Sequence, residues 1–337
     1  MRIVHPLGEQ RPVWPRFLVA AVLLLTVLPV TATSASDSPY NGTVAGSGKG
    51  LTIGYISLGD SVPFVKLVSD NIKAQAQIAG AKLIECDSQL DAAKALNCAK
   101  SFKTQKVQGI LNFQLDEKAA PAICAAGPQV PVISIDIHQK PCEIAFMGAN
   151  NHYAGYVAGQ TLGAFAKSKF GCKYDAFVTL ESPTAGAVNE ARIGGYLDGF
   201  KAVCGPLKNL RRLGVGGTID LGRQKFSDEL TALTSAKTIL VGSLNDDMLL
   251  GAFAAARSQG RMNSVWGSAQ GADPTSWKEI KTDPHWVGDT AYFPERYGTI
   301  TIPAIIDAIK GKKVPPTLFT HHVVLTAKNI DRYYKVK

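Results

Sequence analysis

From Leu51 onward, short apolar runs alternate with longer stretches in which apolar residues recur every third or fourth position. Residues 51–57 read as a strand, and 64–80 as a helix with Phe64, Val65, Val68, Ile72, Ala76 and Ala79 along one side. The same reasoning predicts strands at 82–86, 109–113, 130–136 and 144–148, with helices at 91–103 and 117–126. A second series begins with a helix at 152–168. It continues through strands at 174–180, 207–213, 238–242 and 264–267 and helices at 187–203, 223–233 and 247–260. A short helix at 275–282, a strand at 286–291, a helix at 297–310 and an extended segment at 318–325 complete the chain. Strict alternation predicts parallel sheets with right-handed crossovers. Two such series predict an α/β protein of two similar Rossmann-like lobes.

The run Pro131-Val132-Ile133-Ser134-Ile135-Asp136 has the composition of a strand buried on both faces, and it ends on a carboxylate. Ligands of open α/β sheets sit outside the carboxyl ends of the strands, which makes Asp136 a candidate contact; capping of a turn is the plainer alternative. Before Leu51 the character changes. Arg2, Arg11 and Arg16 precede an apolar run at 17–30 and then Thr33-Ser34-Ala35, the plan of a secretory signal peptide over 1–35. Residues 36–50, rich in Ser, Gly and Thr, read as a flexible leader.

Composition narrows the function classes. The net charge is +9, and removal of 1–35 leaves it near +7, but the basic residues are scattered without a run interleaved with aromatics. Nucleic acid is therefore not an expected partner, and an acidic partner or lipid headgroup suits the residual charge better. Cys86, Cys98, Cys124, Cys142, Cys172 and Cys204 are even in number, lack CxxC spacing and belong to a chain bound for an oxidising compartment. Disulfides are expected rather than a metal. Consecutive pairing is the simplest arrangement, with Cys172 and Cys204, which bracket one strand–helix unit, the first choice. Gly46, Gly48 and Gly50 precede the first strand and no GxGxxG follows it, so no nucleotide cofactor is expected. No GxSxG elbow appears, and the expectation is a binding protein, not an enzyme. Asp246 and Asp247 open a helix, where carboxylates suit the dipole, and His321-His322 reads as a segment crossing between lobes.

Several stretches together carry a family resemblance: Ser61-Val62-Pro63-Phe64, Pro131 to Asp136, Gly148-Ala149-Asn150-Asn151-His152-Tyr153-Ala154-Gly155, Asn245-Asp246-Asp247-Met248, and Ala291-Tyr292-Phe293-Pro294-Glu295-Arg296-Tyr297-Gly298. In their order and spacing, across about 51–325, they resemble the periplasmic sugar-binding proteins of ABC importers, the ribose-binding type. The resemblance implies a type I periplasmic binding protein with a three-crossing hinge near Asn150, Phe293 and Thr320. One lobe would comprise 51–150 plus 294–320, the other 151–293 plus 321–337. It implies a periplasmic monomer that closes on a small sugar or polyol and delivers it to an ABC permease. A sensor that passes the same ligand signal to a chemoreceptor or histidine kinase is the alternative. A transcriptional repressor shares the two-lobed plan, but a signal peptide stands where its helix-turn-helix would be.

Carried over by position, Phe64 resembles the aromatic that stacks on the sugar, Asp136 the carboxylate that accepts from hydroxyls, and Asn151 and Asn245 the amide ligands. The pattern also has departures. Ile137 stands where an arginine follows the aspartate, and Glu190 where another arginine is expected, with Arg192 two residues on. Ala269 and Gln270 stand in place of an aspartate, and Tyr292 stands where a polar residue is expected before Phe293. With Glu190, Arg192, Gln270 and Tyr292 completing the ligand set, the pocket is not expected to be tuned to ribose. A larger or less ionic polyol, cyclitol or modified sugar fits the departures.

Overall fold

The computed structural model describes residues 38–336. The expected signal peptide lies outside the described residues. Two six-stranded sheets organise the chain. The first contains β1 (Thr52–Ser57), β2 (Lys82–Asp87), β3 (Gly109–Asn112), β4 (Val132–Ile135), β5 (Glu143–Gly148) and β11 (Thr317–Phe319), in the order β11-β5-β4-β3-β1-β2 and parallel throughout. Its central strands β3 and β4 are buried along their whole length, as continuous apolar composition requires of strands covered on both faces.

The second sheet contains β6 (Ala176–Glu181), β7 (Leu210–Gly214), β8 (Ile239–Ser243), β9 (Val265–Gly271), β10 (Trp286–Ala291) and β12 (Val323–Leu325), in the order β12-β10-β9-β8-β6-β7. One pairing departs from the parallel expectation: β12 runs antiparallel to β10, with Asp289 opposite Leu325. The segment expected as one extended piece at 318–325 is two strands, one in each sheet. The chain passes between the lobes at 320–322 and arrives beside β10 without a helical crossover to reverse it.

Helices cover both faces of each sheet. In the first lobe these are α1 (Pro63–Ala79), α2 (Ala92–Thr104), α3 (Ala120–Ala126) and α9 (Tyr297–Ile309), the last returning to pack on α1 and β3. Proline starts α1, where its missing N–H is not needed, and Gly80 ends it at φ 68°. In the second lobe they are α4 (Asn151–Phe170), α5 (Ala187–Cys204), α6 (Ile219–Ala232), α7 (Asp246–Ser258) and α8 (Trp277–Thr282). The chain thus crosses three times, between β5 and α4, between β10 and α9, and between β11 and β12.

Residues 38–50, assigned by composition to a flexible leader, are docked on the first lobe. Gly46 and Gly48 donate to the carbonyls of Ile78 and Ala79, Ser38 donates to Phe319, and the Lys310 ammonium reaches the Ser47 carbonyl at 2.7 Å. A Cβ at Gly48 would lie 2.9 Å from that of Ala81, so this glycine serves close approach and not looseness. Disulfides join Cys86 to Cys98, Cys124 to Cys142 and Cys172 to Cys204, each tying a helix to a neighbouring strand or loop. Among the described residues, no helix is long and apolar enough to cross a membrane.

Candidate functional site

The carboxyl ends of the two sheets face each other across a cavity of about 150 Å³. Loops after β1, β2, β3 and β4 and the start of α1 form one wall. The other comes from loops after β6 to β10 and from the first turns of α5 and α7.

Asp136 follows β4 at φ 56°, a left-handed conformation unusual for a residue with a side chain. A Cβ at Gly148 would come within 2.4 Å of its Oδ1, so a glycine there lets the carboxylate sit where it does. The Tyr297 hydroxyl donates to both carboxylate oxygens, at 3.0 and 3.3 Å. Burial pushes the Asp136 carboxyl up to about 6, against the pull of the Arg192 charge and of donors from Tyr297 and the Ala149 N–H.

Arg192, on the first turns of α5, is buried at the other side of the cavity. Its Nε and Nη2 donate to Asn151 Oδ1 at 3.0 and 2.7 Å, and Nη1 donates to the Leu244 carbonyl at 3.1 Å. The guanidinium lies 4.9 Å from the centre of the Tyr292 ring. The Tyr292 hydroxyl donates to Gln270 Oε1 at 3.0 Å, and Gln270 Nε2 donates to the Ser243 carbonyl at 3.3 Å. Phe64 meets the rings of Tyr292 and Tyr297 edge to face, at 6.5 and 5.8 Å. These contacts hold each group in one orientation before any solute arrives, and leave donors on Arg192 and Gln270 to spare.

The first turn of α7 adds a group of carboxylates. Asp246 accepts from the Asp273 N–H at 3.0 Å and the Ser276 hydroxyl at 2.5 Å. Its carboxyl is pushed up to about 6, by burial first and then by Asp273. Behind it, fully buried Asp289 is raised well above its ordinary value by burial and then by the charge of Asp246, while its Oδ1 accepts from the Ala272 N–H at 2.9 Å. Asp247 is pushed up to about 7 by burial and by the charges of Asp273 and Asp246, and its buried Oδ1 has no hydrogen-bond partner among the described residues.

Of the residues expected at the ligand, Phe64, Asp136, Arg192, Asn245, Gln270 and Tyr292 line this cavity. Two do not. Asn151 lies behind Arg192, its oxygen occupied by the guanidinium, because α4 and α5 pack too closely for it to reach past. Glu190 points outward, its side chain 68% exposed and 3.4 Å from Arg212, since it stands about half a helical turn from the inward face that carries Arg192. Asn245 lines the cavity with its amide already engaged: Oδ1 caps the Met248 N–H at 3.0 Å and Nδ2 donates to the Gly217 carbonyl at 2.8 Å.

Sequence reasoning missed Asp247 and Asp273 as lining residues. The available signal was their place at the carboxyl ends of β8 and β9, the position that had singled out Asp136. It also missed the apolar side of the cavity, where Val62, Phe113 and Leu115 join Ile137. Among the described residues, the Phe64 N–H donates to Asp273 at 2.8 Å and the Ala187 N–H donates to Glu117 at 2.6 Å across the cleft. These bonds join the facing lobes. Among the described residues, no group of three or more His, Cys, Asp or Glu is placed to hold a metal ion.

Solved structures share this fold. An ABC transporter solute-binding protein from Mycobacterium smegmatis, crystallised with glycerol, is similar over 85% of this chain and 98% of its own, at 20% identity and a TM-score of 0.75. One from Actinobacillus succinogenes with bound D-allose is similar over 84% and 100%, at 18% identity and a TM-score of 0.71. A Caulobacter myo-inositol binding protein with its ligand is similar over 85% and 97%, at 19% identity and a TM-score of 0.70. At these identities the likeness establishes the fold, with two α/β lobes of the type I arrangement. No curated protein matches the chain. The family model described as a periplasmic binding protein domain matches residues 53–313, and the chain belongs to that family.

Proposed function

We propose that a monomer of this chain captures a sugar or sugar-like polyol between its lobes outside the cytoplasm, and hands it unchanged to the permease of an ABC importer. The observation that carries this reading is the cavity between the lobes: both contribute to it, and its polar groups are prearranged to meet hydroxyls. Arg192 offers unused N–H donors, Asp136 and Asp247 offer acceptors, and the Phe64 ring offers an apolar surface for a ring face. Both walls of the cavity come from one chain, so no second copy is needed to form it. Three disulfides suit an oxidising compartment such as the periplasm. Glycerol, allose and inositol in proteins of this fold are of the class proposed.

A ligand touching both lobes stabilises the closed form because it makes its full set of contacts only there. The permease would then read the closed shape. Thermal-shift screening of the mature chain against pentoses, hexoses, polyols, cyclitols and glycosides tests the proposal. A member of the panel is expected to raise Tm by several degrees, with the shift lost in Arg192→Ala. A panel without a single responder would overturn it.

A further inference from the structure

The two walls of the cavity differ in kind. From the first lobe come Val62, Val65, Phe113, Leu115 and Ile137, and Asp136 is the single polar side chain this lobe contributes among the described residues. Even Asp136 is engaged, its two oxygens accepting from the Tyr297 hydroxyl. From the second lobe come Arg192, Asn245, Asp247, Gln270 and Thr218. Ala185, Val188 and Leu244 add hydrocarbon from the second lobe, but hydrogen-bonding side chains are concentrated there and nearly absent from the first. A sugar with hydroxyls around its whole rim would turn some of them, stripped of water, against Phe113 and Ile137. A ligand with its hydroxyls on one side avoids that loss and gains from burying its other side.

A second cavity of about 470 Å³ adjoins the first and shares Leu90 and Leu115 with it. Beyond these leucines it is lined by Gln89, Asp91, Gln114, Asp116 and Thr184. Leu90 is 40% exposed at the boundary and held at φ 61°, an apolar side chain left half in solvent beside a ligand cavity. A substituent too long for the inner cavity has the outer one beside it, with only Leu90 and Leu115 shared between the two linings.

Building on the carbohydrate reading above, we propose that the ligand is a sugar or polyol bearing an aliphatic or aromatic substituent. Its hydroxyls face Arg192, Asp247 and Gln270, and its apolar part lies along Phe113, Leu115 and Leu90. Calorimetric titration of the mature chain with matched series tests this, each sugar being offered free, as its methyl glycoside and as its phenyl glycoside. For at least one sugar the phenyl glycoside is expected to bind about ten- to a hundredfold more tightly than the free sugar. Leu115→Asn is expected to erase most of that ratio. Free sugars binding as tightly as their phenyl glycosides throughout would overturn the inference and leave the carbohydrate reading standing. A chain that binds no compound of either kind would overturn both.

Discussion

Asp247 stands between two other carboxylates at the mouth of α7, and its acid strength records that crowding. Burial, then the charges of Asp273 and Asp246, raise its pKa from 3.8 to about 7. The native state therefore holds a proton there that the unfolded chain has released, and stability from this group is present below about pH 4 and lost as pH rises through 7. Asp247→Asn, neutral at every pH, is expected to match the parent near pH 4. At pH 8 it should be more stable by roughly 2–4 kcal/mol in the ligand-free state, by urea unfolding at the two values. An equal difference at both pH values would remove the shifted carboxyl from the account. Asn151 and Glu190 make a second contrast. Asn151 holds the Arg192 guanidinium by two bonds, so Asn151→Ala is expected to weaken solute binding by about tenfold without touching the solute. Glu190→Ala, on the outer face, should leave the calorimetric affinity where it was. Both residues sit near the correct place in sequence. A helix position alone does not say whether a side chain reaches the cavity or the residue behind it.

Among the helices, α4 and α5 show what the hydrophobic pattern leaves out. It predicts both, yet neither has a strong apolar stripe, because their contact is made by glycine. Cβ atoms at Gly155 and Gly159 would lie 2.0 and 1.9 Å from the carbonyls of Arg192 and Tyr196. Those at Gly195 and Gly199 would lie 2.0 and 1.9 Å from the carbonyls of His152 and Tyr156. Reciprocal pairs spaced by four residues bring the two backbones together and fix how far Arg192 projects toward the cavity. Gly159→Ala is expected to cost about 2–3 kcal/mol of stability by forcing the helices apart, and to lower affinity through Arg192. Gly194, on the same helix as Arg192, has open space where a methyl group would stand, with nothing within 4 Å. Gly194→Ala should therefore raise stability by up to about 1 kcal/mol through helix propensity alone. Thermal melts of the two variants decide it: equal changes in Tm would mean that close packing is not what these glycines provide.

For the molecule as a unit, the quantity that matters is the balance between open and closed lobes. Glu117 lies outside the inner cavity and holds the Ala187 N–H across the cleft. Glu117→Ala is expected to reduce solute affinity by about tenfold while leaving every lining residue in place, because binding must then close the lobes without that bond. Unchanged affinity by calorimetry would show that the bond does not bias closure. The alternation of strands and helices in two series follows from periodicity, whereas the return of the chain to the first lobe is what the family resemblance implies and the order of strands in each sheet comes from the fold. The antiparallel β12 does not follow, since a three-residue strand carries no periodic signal and its direction depends on where the crossing at 320–322 delivers it.

The features legible in the residues alone are local and periodic: the alternation of strand and helix, an even set of cysteines and carboxylates at strand ends. Burial of β-branched runs and helical spacing act over a few residues, and that range is readable in one dimension. Which side chains share a cavity was settled by the folded arrangement. It turned Asn151 and Glu190 away, brought Asp247 and Asp273 in, docked 38–50 on the first lobe and set an apolar wall against a polar one. Those outcomes depend on how closely backbones approach and on which groups lose water together, and residues from tens to more than two hundred positions apart govern both.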